Sequence, residues 1–222
     1  MKSAGSKLWR LALGLAVLIG VLASRPVGAA EIRASVNDSA GKALEDAVVT
    51  ITPESGTATP EDAAGKATAT IDQKDEMFVP EVVVIHTGGA VVFRDSDTVR
   101  HHVYSFSPIK QFQFVQQPGE TSAPVRFDHP GIAAIGCNIH DFMIAYVYVT
   151  DAPWAIVTGA DGLADFTGLP AGRFMVTVWH PRLWPDAPPL SQSVTLSGAG
   201  MTVPISLRVM PPRPRRSHNQ LY

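Results

Sequence analysis

Gly136-Cys137-Asn138-Ile139-His140-Asp141-Phe142-Met143 packs a thiol, an imidazole and a thioether into one short stretch. Apolar β-type runs flank it, Ile132–Ile135 before and Ile144–Val149 after, so it reads as a loop joining two strands. These are soft donors. Thiolate and imidazole bind copper strongly in a near-trigonal plane, with a thioether farther off along the axis tuning the potential. One loop leaves such a His₂Cys plane one imidazole short. Arg100-His101-His102-Val103 offers two, after the run Ala90–Phe93 and the polar turn Asp95-Ser96-Asp97-Thr98. Neighbours on a strand point to opposite faces, so one of the two histidines reaches the metal and the other turns away.

Cys137 is the chain's single cysteine, which rules out an internal disulfide. Taken alone, a lone thiol reads as an inert core residue, since free cysteine is among the most buried types. A cysteine hydrolase, with Cys137 as nucleophile and His101 or His140 as base, is a competing reading. It lacks the Gly-rich oxyanion turn or helix N-terminus that would stabilise thiolate and transition state. Zinc could fill the same donors, but a methionine among them argues for copper.

The motifs at His101 and in the 136–143 loop resemble the cupredoxin family: a strand ending in an aromatic, a polar turn, then H-x-V opening the next strand. The C-x₂-H-x₂-M spacing is most similar to the short ligand loop of amicyanin-type blue copper proteins. Met77-Phe78-Val79-Pro80, Val82–Val84, Gly88-Gly89 and Ala90–Phe93 match the family's opening, so the resemblance spans about residues 70–150. It implies a Greek-key β-sandwich with one copper ion in a type 1 site, held by His101, Cys137, His140 and Met143. It also implies electron transfer, with no enzyme activity and with a transient redox partner protein. The family carries Asn directly after its upstream histidine, where the amide ties the two ligand loops together. This chain has His102 there, a departure from the pattern that carries that hydrogen bond, and His102 stays an alternative ligand to His101.

Outside that stretch the chain still reads as β. Ile32–Val36, Ala47–Thr52, Phe174–Val178 and Val203–Val209 are rich in Val, Ile, Phe and Thr and are separated by Gly, Pro, Asp and Asn. Many short strands with turns between them imply an all-β protein. The segment Val36 to Val49 resembles the opening hairpin of a carboxypeptidase-regulatory-like, Ig-type domain. That family's D-G-x-x-x-F-x-x-L-P-x-G-x-F continuation appears only after Thr150, as Asp161-Gly162 through Gly172-Arg173-Phe174. Residues 31–57 and 153–209 are therefore expected to form one Ig-like sandwich, with 58–152 inserted as the copper domain. Pro53 to Ala69 and Trp184 to Pro189 read as loops, and 210–222, rich in Pro and Arg, as a disordered tail.

Lys2, Lys7 and Arg10 precede an uncharged apolar run, Leu11 to Ala23, and small residues follow at Val27-Gly28-Ala29-Ala30. That pattern predicts a cleaved export signal over 1–30 and a periplasmic or otherwise secreted protein with no permanent membrane span. The run is short of the roughly 20 residues that a span needs. Its removal leaves fourteen basic and twenty acidic residues, a net charge of −6, unsuited to nucleic acid. His86, His129 and His180 read as structural or solvent-facing. Trp154, Trp179 and Trp184 are expected to pack the second sandwich or its junction with the first, and Tyr146 and Tyr148 to share one strand face. Chains of this make-up resemble proteins labelled methylamine-utilisation or cupredoxin-domain proteins. Two alternatives to electron transfer remain: a copper carrier without redox duty, and an interaction protein with a structural metal.

Overall fold

A computed structural model describes residues 30–55 and 68–212, all of whose regular structure is β. The first described stretch holds β1 (Ala30–Asp38) and β2 (Val48–Pro53). The middle stretch holds β3 (Thr68–Lys74), β4 (Met77–Val79), β5 (Val82–His86), β6 (Ala90–Asp95), β7 (His101–Ser107), β8 (Lys110–Gln116), β9 (Val125–Arg126), β10 (Gly131–Cys137) and β11 (Ile144–Thr150). The last holds β12 (Trp154–Val157), β13 (Leu163–Leu169), β14 (Gly172–Trp179), β15 (Leu190–Leu196) and β16 (Met201–Leu207). No helix among the described residues is long and apolar enough to cross a membrane. The expected export signal lies outside them up to residue 29, and Ala30 is already a buried strand residue. The expected tail is likewise outside from residue 213 on. Its start is held down: Met210 donates its N–H to the Arg182 carbonyl and accepts the Arg182 guanidinium.

Four sheets make two sandwiches. One sandwich faces β13-β1-β16 against β12-β2-β14-β15. β1 alternates inward Ile32, Ala34 and Val36 with outward Arg33, Ser35 and Asn37, the period that a half-buried strand requires. Its partners are remote in sequence: Ala34 pairs with Ala164 on one side and Val203 on the other. β2 pairs with β12 and β14 in the same way. The core between them is Ile32, Val36, Ile51, Phe166, Phe174, Val176 and Ile205 with their neighbours, each contributing about 1.5–3 kcal/mol when fully buried. Gly162 is required just before β13, where the chain passes close to the end of β1 and the segment that follows it. Its φ is +71°, and a Cβ there would sit 2.4 Å from the Val36 carbonyl oxygen.

The other sandwich faces β5-β11-β10-β7-β8 against β4-β3-β6-β9, with the chain passing repeatedly between sheets in Greek-key fashion. β5 joins β11 in parallel, and β3 joins β6 in parallel. Its core runs from Ile71, Phe93 and Phe127 to Val103, Ile135 and Val147, and Cys137 and Met143 lie at one end of it. Two buried amides bridge its sheets: Gln73 donates to Gln116 Oε1 (2.8 Å), and Gln116 donates to the Phe93 carbonyl (3.0 Å).

The sandwiches meet at a small third core of Val48, Val82 and Trp179, against which Tyr146, Tyr148 and Val157 pack. The Trp179 ring lies 5.5 Å from Tyr146 and 5.6 Å from Tyr148, so this face of β11 is a packing face. Trp154 packs edge-on against Phe174 in the first core. Trp184 departs from its expected packing role. It is 49% exposed, with the Arg208 guanidinium over its ring, while its neighbour Leu183 packs against the junction core.

Candidate metal centre

β10 ends at Cys137 and β11 begins at Ile144, so the 138–143 segment closes an antiparallel pair whose register is fixed by Gly136 opposite Ile144. The Met143 N–H donates to the His140 carbonyl (3.0 Å), turning the loop back on itself. β7 lies on the other side of β10 with Val103 opposite Cys137, which brings His101 at the start of β7 beside the thiol. Gly136 has no side chain for a reason: a Cβ there would stand 2.6 Å from the Tyr104 ring. The tie between the two loops is made by backbone. The Asn138 N–H donates to the His102 carbonyl at 3.0 Å.

His101, Cys137 and His140 form the one cluster of metal-type donors among the described residues. Cys137 Sγ lies 3.8 Å from His101 Nδ1 and 3.8 Å from His140 Nδ1, and the two nitrogens are 3.2 Å apart. These distances suit one soft ion. With bonds of about 2.0–2.1 Å to nitrogen and about 2.3 Å to thiolate sulfur, a trigonal angle puts N and S about 3.8 Å apart. Three electron-rich atoms facing one another are satisfied together by a cation between them. His101 is fully buried, whereas His102 is half-buried and opposite Val115. Met143 is 3% exposed and belongs to the same core as Cys137.

The surroundings set the protonation states. His101 Nε2 is 3.1 Å from Asp97 Oδ2, so its N–H goes to the carboxylate and its Nδ1 lone pair faces the thiol. Burial alone would push the His101 imidazole down. The Cys137 sulfur, together with the Asp95 and Asp97 carboxylates, more than reverses this and holds it above its ordinary value. Burial would likewise raise the Cys137 thiol, yet His101 and the backbone of His102, Ile139 and His140 bring it down to about 6. A thiolate is therefore within reach at neutral pH. Asp95 is buried at the end of β6, where burial raises its carboxyl; its Oδ1 accepts the Asp97 N–H (3.0 Å), while Oδ2 meets no described partner.

Asp97 and Asp95 are the residues that sequence reasoning passed over, having read them only as a polar turn. Their signal was position: Asp97 stands four residues before His101, in the turn that carries the chain from β6 in one sheet to β7 in the other, and there its carboxylate meets that ring. Of the other histidines, His86 donates from Nε2 to the Ala152 carbonyl (3.0 Å) where the chain re-enters the first sandwich, and His129 is exposed.

No family model matches the chain, and no curated protein matches it. Among solved structures it is similar to a purple cupredoxin from Nitrosopumilus maritimus, at 20% identity over 37% of this chain and 99% of that one, with a TM-score of 0.34. It is similar to a reduced amicyanin variant at 14% identity, over 46% of this chain and 99% of that one, TM-score 0.34. A copper-containing nitrite reductase from Thermus scotoductus SA-01 matches at 22% identity over 45% of this chain but 25% of that one, TM-score 0.34. The reading of the centre rests on its own donor atoms.

Proposed function

We propose that this chain is an exported type 1 copper protein that passes single electrons to and from a transient partner protein and catalyses no reaction of its own. The observation that carries the reading is the convergence of Cys137 Sγ with the Nδ1 atoms of His101 and His140 at 3.2–3.8 Å, at the end of a closed apolar core. In this reading those three residues, together with Met143, would hold one copper ion. Bound copper would supply a one-electron couple at a potential that its ligands tune.

The protein's own part is to keep its donors still. Asp97 fixes the His101 ring, the Asn138–His102 backbone bond pins one ligand loop to the other, and Val103 and Ile135 wall off water. Donors that need not move between oxidation states keep reorganisation small. Toward the surface, His140 is half-buried beneath Ile139, which is 45% exposed, and beside Phe142, whose ring is 6.2 Å away. That is a small apolar patch of the kind that suits brief redox encounters. The second, Ig-type sandwich, built from 31–57 and 153–209 around an inserted 58–152, carries the copper domain. The ladders joining β1 and β2 to strands beyond residue 153 support this division.

Adding Cu(II) to the mature protein should produce an intense thiolate-to-copper charge-transfer band. Cys137→Ser and His101→Ala should each abolish it, while His102→Ala keeps it. A colourless complex, or colour that survives in the serine variant, refutes the type 1 site; loss of colour only in the His102 variant would transfer the ligand role to that residue.

A further inference from the structure

A cavity of about 350 Å³ opens where the two sandwiches meet, and it reaches the 138–143 loop at Phe142 and Met143. Phe142 and Met143 of that loop form part of its wall, with Met77 of β4 beside them; the facing wall comes from the 42–46 hairpin turn, Ala160 and Arg182. Neither His101, Cys137 nor His140 lines it. Met143 therefore has the cavity on one side and the core that contains Cys137 on the other. Met77 is half-buried, so one thioether stands nearer solvent and the other at the inner end. Thioether sulfur is a soft, uncharged donor that favours Cu(I) over Zn²⁺ and over hard cations.

We propose that this cavity is the path by which copper(I) enters the protein, with the Met77 thioether as first donor and Met143 passing the ion to the Cys137 sulfur. The inference rests on the copper reading above and adds a route and an oxidation state to it. The step is ligand exchange. The copper–ligand bond to the chelator breaks as the bond to Met77 sulfur forms, each later transfer exchanges one copper–sulfur bond for the next, the Cys137 thiol proton leaves to water, and no electron moves. The direct way in is poorly open, because His101 is 0% and Cys137 2% exposed, and Ile139 and Phe142 flank His140. The cavity's charged lining, with Glu45, Asp46 and Glu81 against Lys42 and Arg182, carries one net negative charge and does not repel a monovalent cation.

The test mixes metal-free full-length protein with copper(I) bicinchoninate and follows the loss of the chelator's colour in stopped flow. Met77→Leu, close in volume, removes the sulfur. Ala160→Trp fills the mouth from the other sandwich. Both should load severalfold more slowly than the parent, yet reach the parent's end point and, after oxidation, its charge-transfer band. Parental loading rates in both variants overturn the path and place entry past His140. A changed end point for Met77→Leu also overturns it, by making Met77 an equilibrium ligand. A parent protein that takes up no copper sinks the copper reading itself, and this inference with it.

Discussion

His180 sits buried at the corner after β14, with both ring nitrogens engaged. Nε2 donates to the Glu45 carbonyl at 3.0 Å, and Nδ1 accepts the Arg182 N–H at 3.0 Å. Only the neutral ring with its proton on Nε2 satisfies both, since a second proton would set N–H against N–H. Burial is the largest influence on its pKa and, with the Arg182 charge, outweighs the Glu45 carbonyl to bring it down to about 4. The folded value lies below the unfolded one, near 6.5. The stabilisation is therefore fully present above about pH 6.5 and lost as pH falls through about 4. At about 1.4 kcal/mol per tenfold change in proton binding, the whole loss comes to roughly 3 kcal/mol, of which about 2.5 is gone by pH about 4.5. Urea unfolding of metal-free protein, followed by tryptophan fluorescence at neutral pH and near pH 4.5, measures it. His180→Gln keeps a donor for the Glu45 carbonyl and removes the titration. It should be less stable than the parent at neutral pH, with a stability that falls less on acidification. Other titrating groups are common to both proteins and cancel in the difference. A glutamine variant whose stability drops as steeply as the parent's would refute the reasoning.

At the junction, Trp179→Ala deletes a ring packed against both Tyr146 and Tyr148 and should cost about 3–5 kcal/mol in denaturant unfolding; a loss below about 1 kcal/mol would mean that the seam closes over the gap. Asp97→Asn keeps a hydrogen-bond acceptor for His101 Nε2 but removes a negative charge beside the proposed ligand, so the reduction potential should rise in a spectroelectrochemical titration. An unchanged potential would show that the contact is not kept in the copper-loaded protein. A fragment of residues 66–152 should fold alone and bind copper. If it is soluble only together with 31–57, the division into an inserted and a host sandwich is wrong.

The loop between β10 and β11 was legible because its signal is local: Cys137, His140 and Met143 fall within a few residues of one another, and the strands on either side are read from composition. β3 was not legible, and its first residues were taken for loop. Thr68-Ala69-Thr70-Ile71-Asp72-Gln73-Lys74 is polar, and what makes it a strand is parallel pairing to β6, with Thr70 opposite Val92. Gln73 and Gln116 are fully or almost fully buried, which no pattern rule would allow. They are tolerated because each finds the other, across a separation that a sequence window does not see.

The two buried histidines show where residue type stops being informative. His101 and His180 are both sealed from solvent, and each is adjacent in sequence to a large side chain on a strand or its end. What separates them is the fate of each ring nitrogen. At His180 both are consumed, one by a carbonyl and one by an N–H, so the ring has nothing left to offer an ion and its neutral form is enforced. At His101 the carboxylate of Asp97 takes only the Nε2 proton, which leaves the Nδ1 lone pair directed at a sulfur and a second imidazole. That difference is set by Asp97, Glu45 and Arg182, none of which belongs to a recognisable motif. The ligand role proposed for His101 rests on neighbours that occupy one nitrogen and leave the other unspent.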